Sequence, residues 1–384
     1  MKSQLAVLAL AVISVALLAA LAGCGSDRSV KYYNQGLEAA NRDDLDEAIR
    51  LWNEALKYRA DDPETRYNLG LALITRQRYA EAEIQLREAT RLNPQDYQAH
   101  QLLGKSLEAQ DSISQAKLAY EFSLNLHPNH VPALIGLASI ALKEGQNRTA
   151  EDHASRAVET EPSNVEANLL LSEAYYRNSN FSAAYAQLLA TRKLAPTNSQ
   201  MLFLLGKVEY ARHMYSDAIG ALESARHLGI STDEIFLYLG LSSLAIDRLT
   251  DAEKYFRLAV FKNGENAGAW KGLGETYIKK KEWREASEAI AKALAIAPDD
   301  PDAMLDRALV TMYTGDFTTA VQELENVRSL ADAPQITSYY LGQAYLRLSK
   351  KTEARIAFQR FIDTWQGDRA LVDEAKTIIG TLAP

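Results

Sequence analysis

The stretch Ala267–Asp300, AGAWKGLGETYIKKKEWREASEAIAKALAIAPDD, decides the fold. Trp270, Leu273, Gly274 and Tyr277 mark one helix by their spacing; after a polar turn Ala286, Ile290 and Ala293 mark a second, which stops before Pro298. This is a helix-turn-helix unit. Its alanine belongs to a series that recurs every 34 residues: Ala48, Ala82, Ala116, Ala150, Ala184, Ala218, Ala252, Ala286, Ala320 and Ala354. Twelve residues before each lies another small residue: Gly36, Gly70, Gly104, Ala138, Ser172, Gly206, Gly240, Gly274, Ala308 and Gly342. One small residue on each helix would let the paired helices touch closely. The register runs from Ser29 to Asp368 without insertion or deletion, giving ten units of 34 residues. A fixed period of this length means a solenoid of stacked repeats.

Trp-x-x-Leu-Gly-x-x-Tyr, followed by Ala, an apolar residue, Ala and Pro, resembles the tetratricopeptide repeat. Leu69, Gly70, Ala82, Leu86, Ala89 and Pro94 repeat the pattern in the second unit, and Tyr120, Phe256 and Phe358 fill its large apolar position. The resemblance implies an all-α fold, a right-handed superhelical solenoid of about ten repeats. Unit boundaries read as helix stops: Pro94, Pro128, Pro196 and Pro298 cannot continue a helix, and Gly229 and Gly264 turn easily where proline is missing. The ninth unit departs most, with Arg307 at the usual leucine position and Asp332 at the proline position. Beyond Asp368, residues 369–384 place Leu371, Val372, Ala375, Ile378 and Ile379 on one face, as a C-terminal capping helix would.

Residues 1–23 read differently. Lys2 gives a positive start, Leu5 through Leu21 is an almost unbroken apolar run, and Leu21-Ala22-Gly23-Cys24 closes it. This resembles a bacterial lipoprotein signal peptide, which implies cleavage before Cys24, lipid (palmitate among the acyl chains) on that residue, and a short tether over residues 24–28. Cys24 is the only cysteine, so no intramolecular disulfide or cysteine metal cluster competes for it. The apolar run, at ~18 residues, is also about long enough to cross a bilayer, and an uncleaved anchor is the other reading. Gly25 does not resemble the aspartate that retains lipoproteins at the inner membrane. The resemblance therefore implies an outer-membrane location facing the periplasm. Gly25 to Val30 would reach at most ~20 Å, holding the repeats close to the membrane.

The repeat occupies the chain beyond the leader and leaves no room for a catalytic domain. Net charge is −8, or −9 once Lys2 leaves with the leader, where a nucleic-acid binder would show a basic stripe. His127 and His130 form the only close histidine pair, with no cysteine or carboxylate at metal-ligand spacing. No phosphate-binding Gly-x-x-x-x-Gly-Lys-Ser/Thr loop and no Gly-x-Ser-x-Gly elbow occurs. Asp61-Asp62 and Asp299-Asp300 precede prolines at helix starts and read as caps. These readings point away from an enzyme, a cofactor, a metal, a small-molecule substrate and nucleic acid.

In the tetratricopeptide family the first helix of each unit lines a concave groove, chiefly through positions two, five, nine and twelve. Here the fifth and twelfth positions are largely apolar or aromatic, and Tyr67, Phe203, Tyr176, Tyr210 and Tyr339 are the candidate partner contacts. The clamp that holds acidic chaperone C-termini, lysine at the fifth and asparagine at the ninth position, is absent: Lys271 alone fits, and no ninth position is asparagine. The expected ligand is an apolar or amphipathic segment of another protein. The sequence thus implies a lipid-anchored periplasmic scaffold for an envelope assembly such as a secretion, pilus or polysaccharide-export machine. A regulator of a cell-envelope enzyme and an accessory factor in outer-membrane protein assembly are the alternatives.

Overall fold

A computed structural model describes residues 26–382. The expected signal peptide and Cys24 lie outside the described residues. Among those residues are 21 helices and no strand, in two compact units that divide at Leu194/Ala195.

The first unit holds α1 (Ser26–Asn41), α2 (Leu45–Tyr58), α3 (Pro63–Thr75), α4 (Tyr79–Leu92) and α5 (Tyr97–Ala109). It continues with α6 (Ile113–Leu126), α7 (Val131–Lys143), α8 (Asn147–Thr160), α9 (Val165–Arg177) and α10 (Phe181–Leu194). The second holds α11 (Ser199–Ala211), α12 (Tyr215–His227), α13 (Asp233–Ala245), α14 (Leu249–Lys262), α15 (Ala267–Lys280) and α16 (Trp283–Ile296). It ends with α17 (Pro301–Tyr313), α18 (Phe317–Arg328), α19 (Thr337–Arg347), α20 (Lys351–Thr364) and α21 (Arg369–Thr381). Within each unit the two helices of a repeat pack on one another, and the second helix packs on the first helix of the next repeat. The chain enters helix at Ser26, three residues before the register begins, which shortens the expected tether.

The turn inside each repeat has one geometry, and the sequence alone did not display it. Position fifteen has positive φ every time: Asp43, Gln77, Asp111, Ser179, His213, Asp247, Lys281 and Ser349 at 59–64°, and Gly145 and Gly315 at 73° and 99°. The next residue's N–H closes the helix end by bonding five residues back, as in Asp44 N to Ala39 O and Glu282 N to Tyr277 O, both 2.9 Å. Eight of these left-handed residues are not glycine, and each carries the steric cost of that conformation. Lys281→Gly is expected to stabilise the protein by about 0.5–1 kcal/mol, since relief of the Cβ clash exceeds glycine's extra chain entropy. Denaturant titration checks this; a loss of stability would mean that the Lys281 side chain contributes more than its backbone strain costs.

The repeat glycines pack differently from the small-on-small expectation. A Cβ on Gly36 would lie 2.4 Å from Trp52, on Gly70 2.6 Å from Leu86, and on Gly274 2.5 Å from Ile290. Each glycine thus makes room for the large side chain sixteen residues later, and the alanine lies beside that contact: Ala218 O would be 3.2 Å from a Cβ on Gly206, behind Leu222 at 2.5 Å. Two large rings are held from both sides. Phe256 lies between Gly240 of its own repeat and Gly272 of the next, and Tyr120 between Gly104 and Gly136. Neither glycine at 136 or 272 belongs to the repeat signature; both are needed where an aromatic ring bridges two repeats.

Of the predicted acidic caps, Asp300 accepts hydrogen bonds from the Asp302 and Ala303 amides at 2.9 and 3.1 Å. Asp62 makes no such bond and instead accepts from the Thr65 hydroxyl. The irregular ninth repeat still buries Ala308, Leu309, Leu324 and Val327, and Arg307 turns outward to Glu323 at 2.9 Å. Its irregularity shows at its end. The chain leaves α18 at Arg328 and passes Asp332 and Pro334 before α19 begins at Thr337. After α20, the N-cap Asp368 accepts from the Ala370 amide at 2.9 Å, and α21 lays Ala375 and the partly buried Leu371, Val372, Ile378 and Ile379 over Tyr339, Phe358 and Phe361.

Candidate functional site

The face formed by the first helices differs between the two units. In the first unit Tyr33 and Glu108 are tied into polar networks. Tyr33 on α1 donates to Glu64 at 2.7 Å and accepts from Asn68 at 3.1 Å, and burial followed by Glu64 pushes its hydroxyl far above the usual tyrosine value. Tyr67 on α3 is half-buried, and burial, then Asp96, pushes its hydroxyl up to about 12. Glu108 on α5 accepts from Lys143 at 2.8 Å and Tyr120 at 3.0 Å. Tyr176 on α9 is half-buried with its ring centroid 5.8 Å from that of Phe181.

In the second unit the same face carries a cluster of rings around one cation. The Lys207 ammonium lies 5.5 Å from the Phe203 ring centroid and 5.7 Å from that of Tyr238, and pairs with Glu234 at 2.8 Å. Tyr210 meets Tyr238 edge-on at 5.5 Å and Tyr215 at 5.7 Å. Phe203, Tyr210 and Tyr238 are all neither fully buried nor fully exposed. The structure therefore brings Phe203 and Tyr210 into one cluster on α11 and α13. Tyr238 was not among the sequence-derived contacts because it sits at position six; a tyrosine at a position held by Leu102, Gly136, Leu204 and Gly272 in other repeats was its signal.

Tyr339, expected at the partner surface, is buried instead. It is 5% exposed, with its ring 5.2 Å from Phe361 and 5.7 Å from Phe358, inside the core that α21 covers. The helix that follows repeat ten, α21, packs over this fifth-position residue, so Tyr339 is packing rather than a contact surface.

A second feature of the second unit is electrostatic. Lys271 and Glu275 lie one turn apart on α15, and Asp302 and Asp306 one turn apart on α17, against which α15 packs. The Lys271 ammonium bonds Asp300 at 3.0 Å and Asp302 at 3.4 Å. Burial opposes its charge, yet Asp300 and then Asp302 hold it above the usual lysine value. This leaves the other end of the cluster uncompensated. Asp306 is 9% exposed, its Oδ2 is buried without a hydrogen-bond partner, and burial, then Glu275, pushes its carboxyl up to about 8. Glu275 is also raised, by burial first, against the pull of Lys271.

The expected histidine pair is aromatic packing: the His127 and His130 rings each lie 4.8 Å from Tyr97, one stacked and one edge-on. Among the described residues no group of three His, Cys, Asp or Glu side chains could hold a metal ion, and no helix is long and apolar enough to cross a membrane.

Stacked helix pairs with a ring-lined face define a helical-repeat binding protein. Residues 33–97, 203–264 and 305–369 match a tetratricopeptide repeat model, which covers half of the chain, and residues 244–306 match a second one. The protein belongs to the tetratricopeptide repeat family. Residues 143–225 also match the model for subunit 3 of the anaphase-promoting complex, or cyclosome. Among curated proteins, Superkiller protein 3 of Schizosaccharomyces pombe is 26% identical over 125 residues, 33% of this chain but 9% of that protein's length. Among solved structures, the APC/C heterotetramer Cut9–Hcn1 aligns over 94% of this chain and 87% of its own, with TM-score 0.55 and 11% identity. A tetratricopeptide repeat protein from Parabacteroides merdae aligns over 65% of this chain and 98% of its own, with TM-score 0.51 and 15% identity. At such identities these likenesses speak to the fold alone. Tetratricopeptide folds bind other proteins or peptides along extended surfaces.

Proposed function

We propose that this protein is a lipid-anchored scaffold of the cell envelope, outer-membrane and facing the periplasm, that holds partner proteins of an envelope assembly against the first-helix face of its repeats. The observation that carries the reading is the Phe203–Lys207–Tyr238–Tyr210 cluster, rings left part-exposed where the repeat's own core does not need them. Part-exposed aromatics around a cation suit an amphipathic segment, whose apolar side chains pack on the rings. The location rests on the sequence ending in Cys24. Several acyl chains there would anchor the protein stably, and anchoring raises the local concentration of whatever is bound without adding contacts. A crosslinked pull-down from envelope membranes tests both parts. Phe203→Ala/Tyr210→Ala, folded by circular dichroism, is expected to lose a defined set of partners while remaining in the membrane fraction. Cys24→Ser is expected to leave the membrane fraction and retain binding. Partners unchanged in the double variant would remove the groove from the account, and membrane retention of Cys24→Ser would remove the lipid.

A further inference from the structure

We propose that the Glu275–Asp306 site, on the first-helix face of repeats eight and nine, binds a lysine or arginine side chain of the partner segment. The inference deepens the scaffold reading and rests on it, since it assumes that the partner lies along this face.

The site is built from both helices. Glu275 on α15 and Asp306 on α17 are each raised in part by the charges of this cluster, and Asp306 Oδ2 is buried without a hydrogen-bond partner. Asp306 is nine-tenths buried with its Oδ2 unpartnered, and its carboxyl feels the charges of Glu275, Lys271, Asp302 and Asp300. A buried carboxyl oxygen without a donor is costly unless a partner arrives to satisfy it. The two lysines that could have done so are engaged elsewhere. Lys271 is held at the start of α17 by Asp300 and Asp302, and Lys279 reaches away to Asp247 at 2.8 Å. The missing group is a donor with positive charge. No three of these carboxylates form a group that could hold a metal ion, and an ammonium or guanidinium on a flexible stem can donate to two carboxyl oxygens at once. A cation-seeking site is also the reverse of the acid-binding clamp that the family uses, so this end of the face would select partners by a basic residue.

Binding must be coupled to a proton. Glu275 and Lys271 on α15, Asp302 and Asp300 at the start of α17, and Tyr340 on α19 are the titratable and charged groups that act on Asp306, and Lys279 on α15 acts on Glu275. With Asp306 pushed up to about 8, an arriving cation finds a protonated carboxyl below that pH and an ionised one above it. Affinity therefore rises with pH through that value.

The test uses the full chain purified in detergent, with carboxyl-labelled aspartate and glutamate, and Nα-acetyl-arginine amide as the probe. The resonances that vanish in Asp306→Asn and in Glu275→Gln identify the two groups, and both substitutions are isosteric and leave a neutral amide. The expected result is a saturable shift of both resonances, absent with the blocked amide of citrulline, with about tenfold tighter half-saturation at pH 8.5 than at pH 6. The double variant Glu275→Gln/Asp306→Asn should show no site-specific binding. Equal shifts with the citrulline probe, no shift at ~50 mM arginine probe, no change in affinity with pH, or the same response to magnesium ion alone would each overturn the assignment. The pull-down with Phe203→Ala/Tyr210→Ala is independent of these resonances. Partners lost there, with no cation response here, would sink the cation site and leave the scaffold reading in place.

Discussion

Phe256→Ala is expected to destabilise the second unit by about 3–5 kcal/mol, the range for removing a fully buried aromatic side chain. Phe256 has no exposed surface, and its ring fills the space between Gly240 on α13 and Gly272 on α15. A Cβ at these two glycines would lie 2.6 and 2.3 Å from ring carbons. The ring thus belongs to two repeats at once, and its loss weakens both the packing inside repeat seven and the interface with repeat eight. Gly272→Val approaches the same contact from the other side and should cost about 2–3 kcal/mol by overpacking. In a stack where each repeat contacts only its neighbours, the damage should be local. Hydrogen exchange should speed up in α13 to α15 before it changes in α20. A loss of less than ~1 kcal/mol in Phe256→Ala would mean that the neighbouring helices collapse into the space, and the clamp would not be a structural determinant.

Asp306→Asn should stabilise the protein at alkaline pH. The sign follows from proton binding: Asp306 is pushed up to about 8 in the fold, by burial and then Glu275, against ~3.9 in an unfolded chain. Between those values the folded chain retains a proton that the unfolded chain releases, so stability falls as pH rises from about 4 to about 8. The asparagine variant has no such slope. It should match the wild type near pH 4 and exceed it by about 2–4 kcal/mol at pH 9, where the wild type holds a buried charge without a partner. Denaturant midpoints across that range measure the difference. Parallel wild-type and variant profiles would mean that Asp306 ionises without penalty, and its burial would then have no electrostatic consequence.

The 34-residue register was legible because it depends on side-chain size: small residues at two positions, a large apolar one at a third, proline or glycine at the boundary. The turn was legible as a place and not as a geometry. Position fifteen is left-handed in every repeat, but glycine occupies it only at Gly145 and Gly315; aspartate and histidine at four others are weak signals of that conformation, and serine, lysine and glutamine carry none. The pairing of Gly240 with Phe256, rather than with an alanine, is a matter of where helices face one another, which a period along the chain does not contain. Tyr339 illustrates the same limit at the end of the stack. Its position number is that of Tyr67, but its neighbour is α21 instead of another repeat, and the ring is core. Asp306 left a trace that could have been followed, a carboxylate at position six where most repeats have an apolar residue or glycine. That its Oδ2 would lack a partner depends on Lys271 and Lys279 bonding elsewhere, which only the folded chain displays.

The central claim, that the first-helix face holds the partner, is tested most directly by photo-crosslinking within one unit. Leu241 on α13 lies on that face, half-buried, and Phe261 on α14 is 84% exposed on a second helix. With a photoreactive phenylalanine at Leu241, a partner adduct should form in envelope membranes and disappear when Phe203→Ala/Tyr210→Ala is added, while the same probe at Phe261 gives none. An adduct at Phe261 that survives the double substitution, with none at Leu241, would contradict the account and place the partner on the second helices.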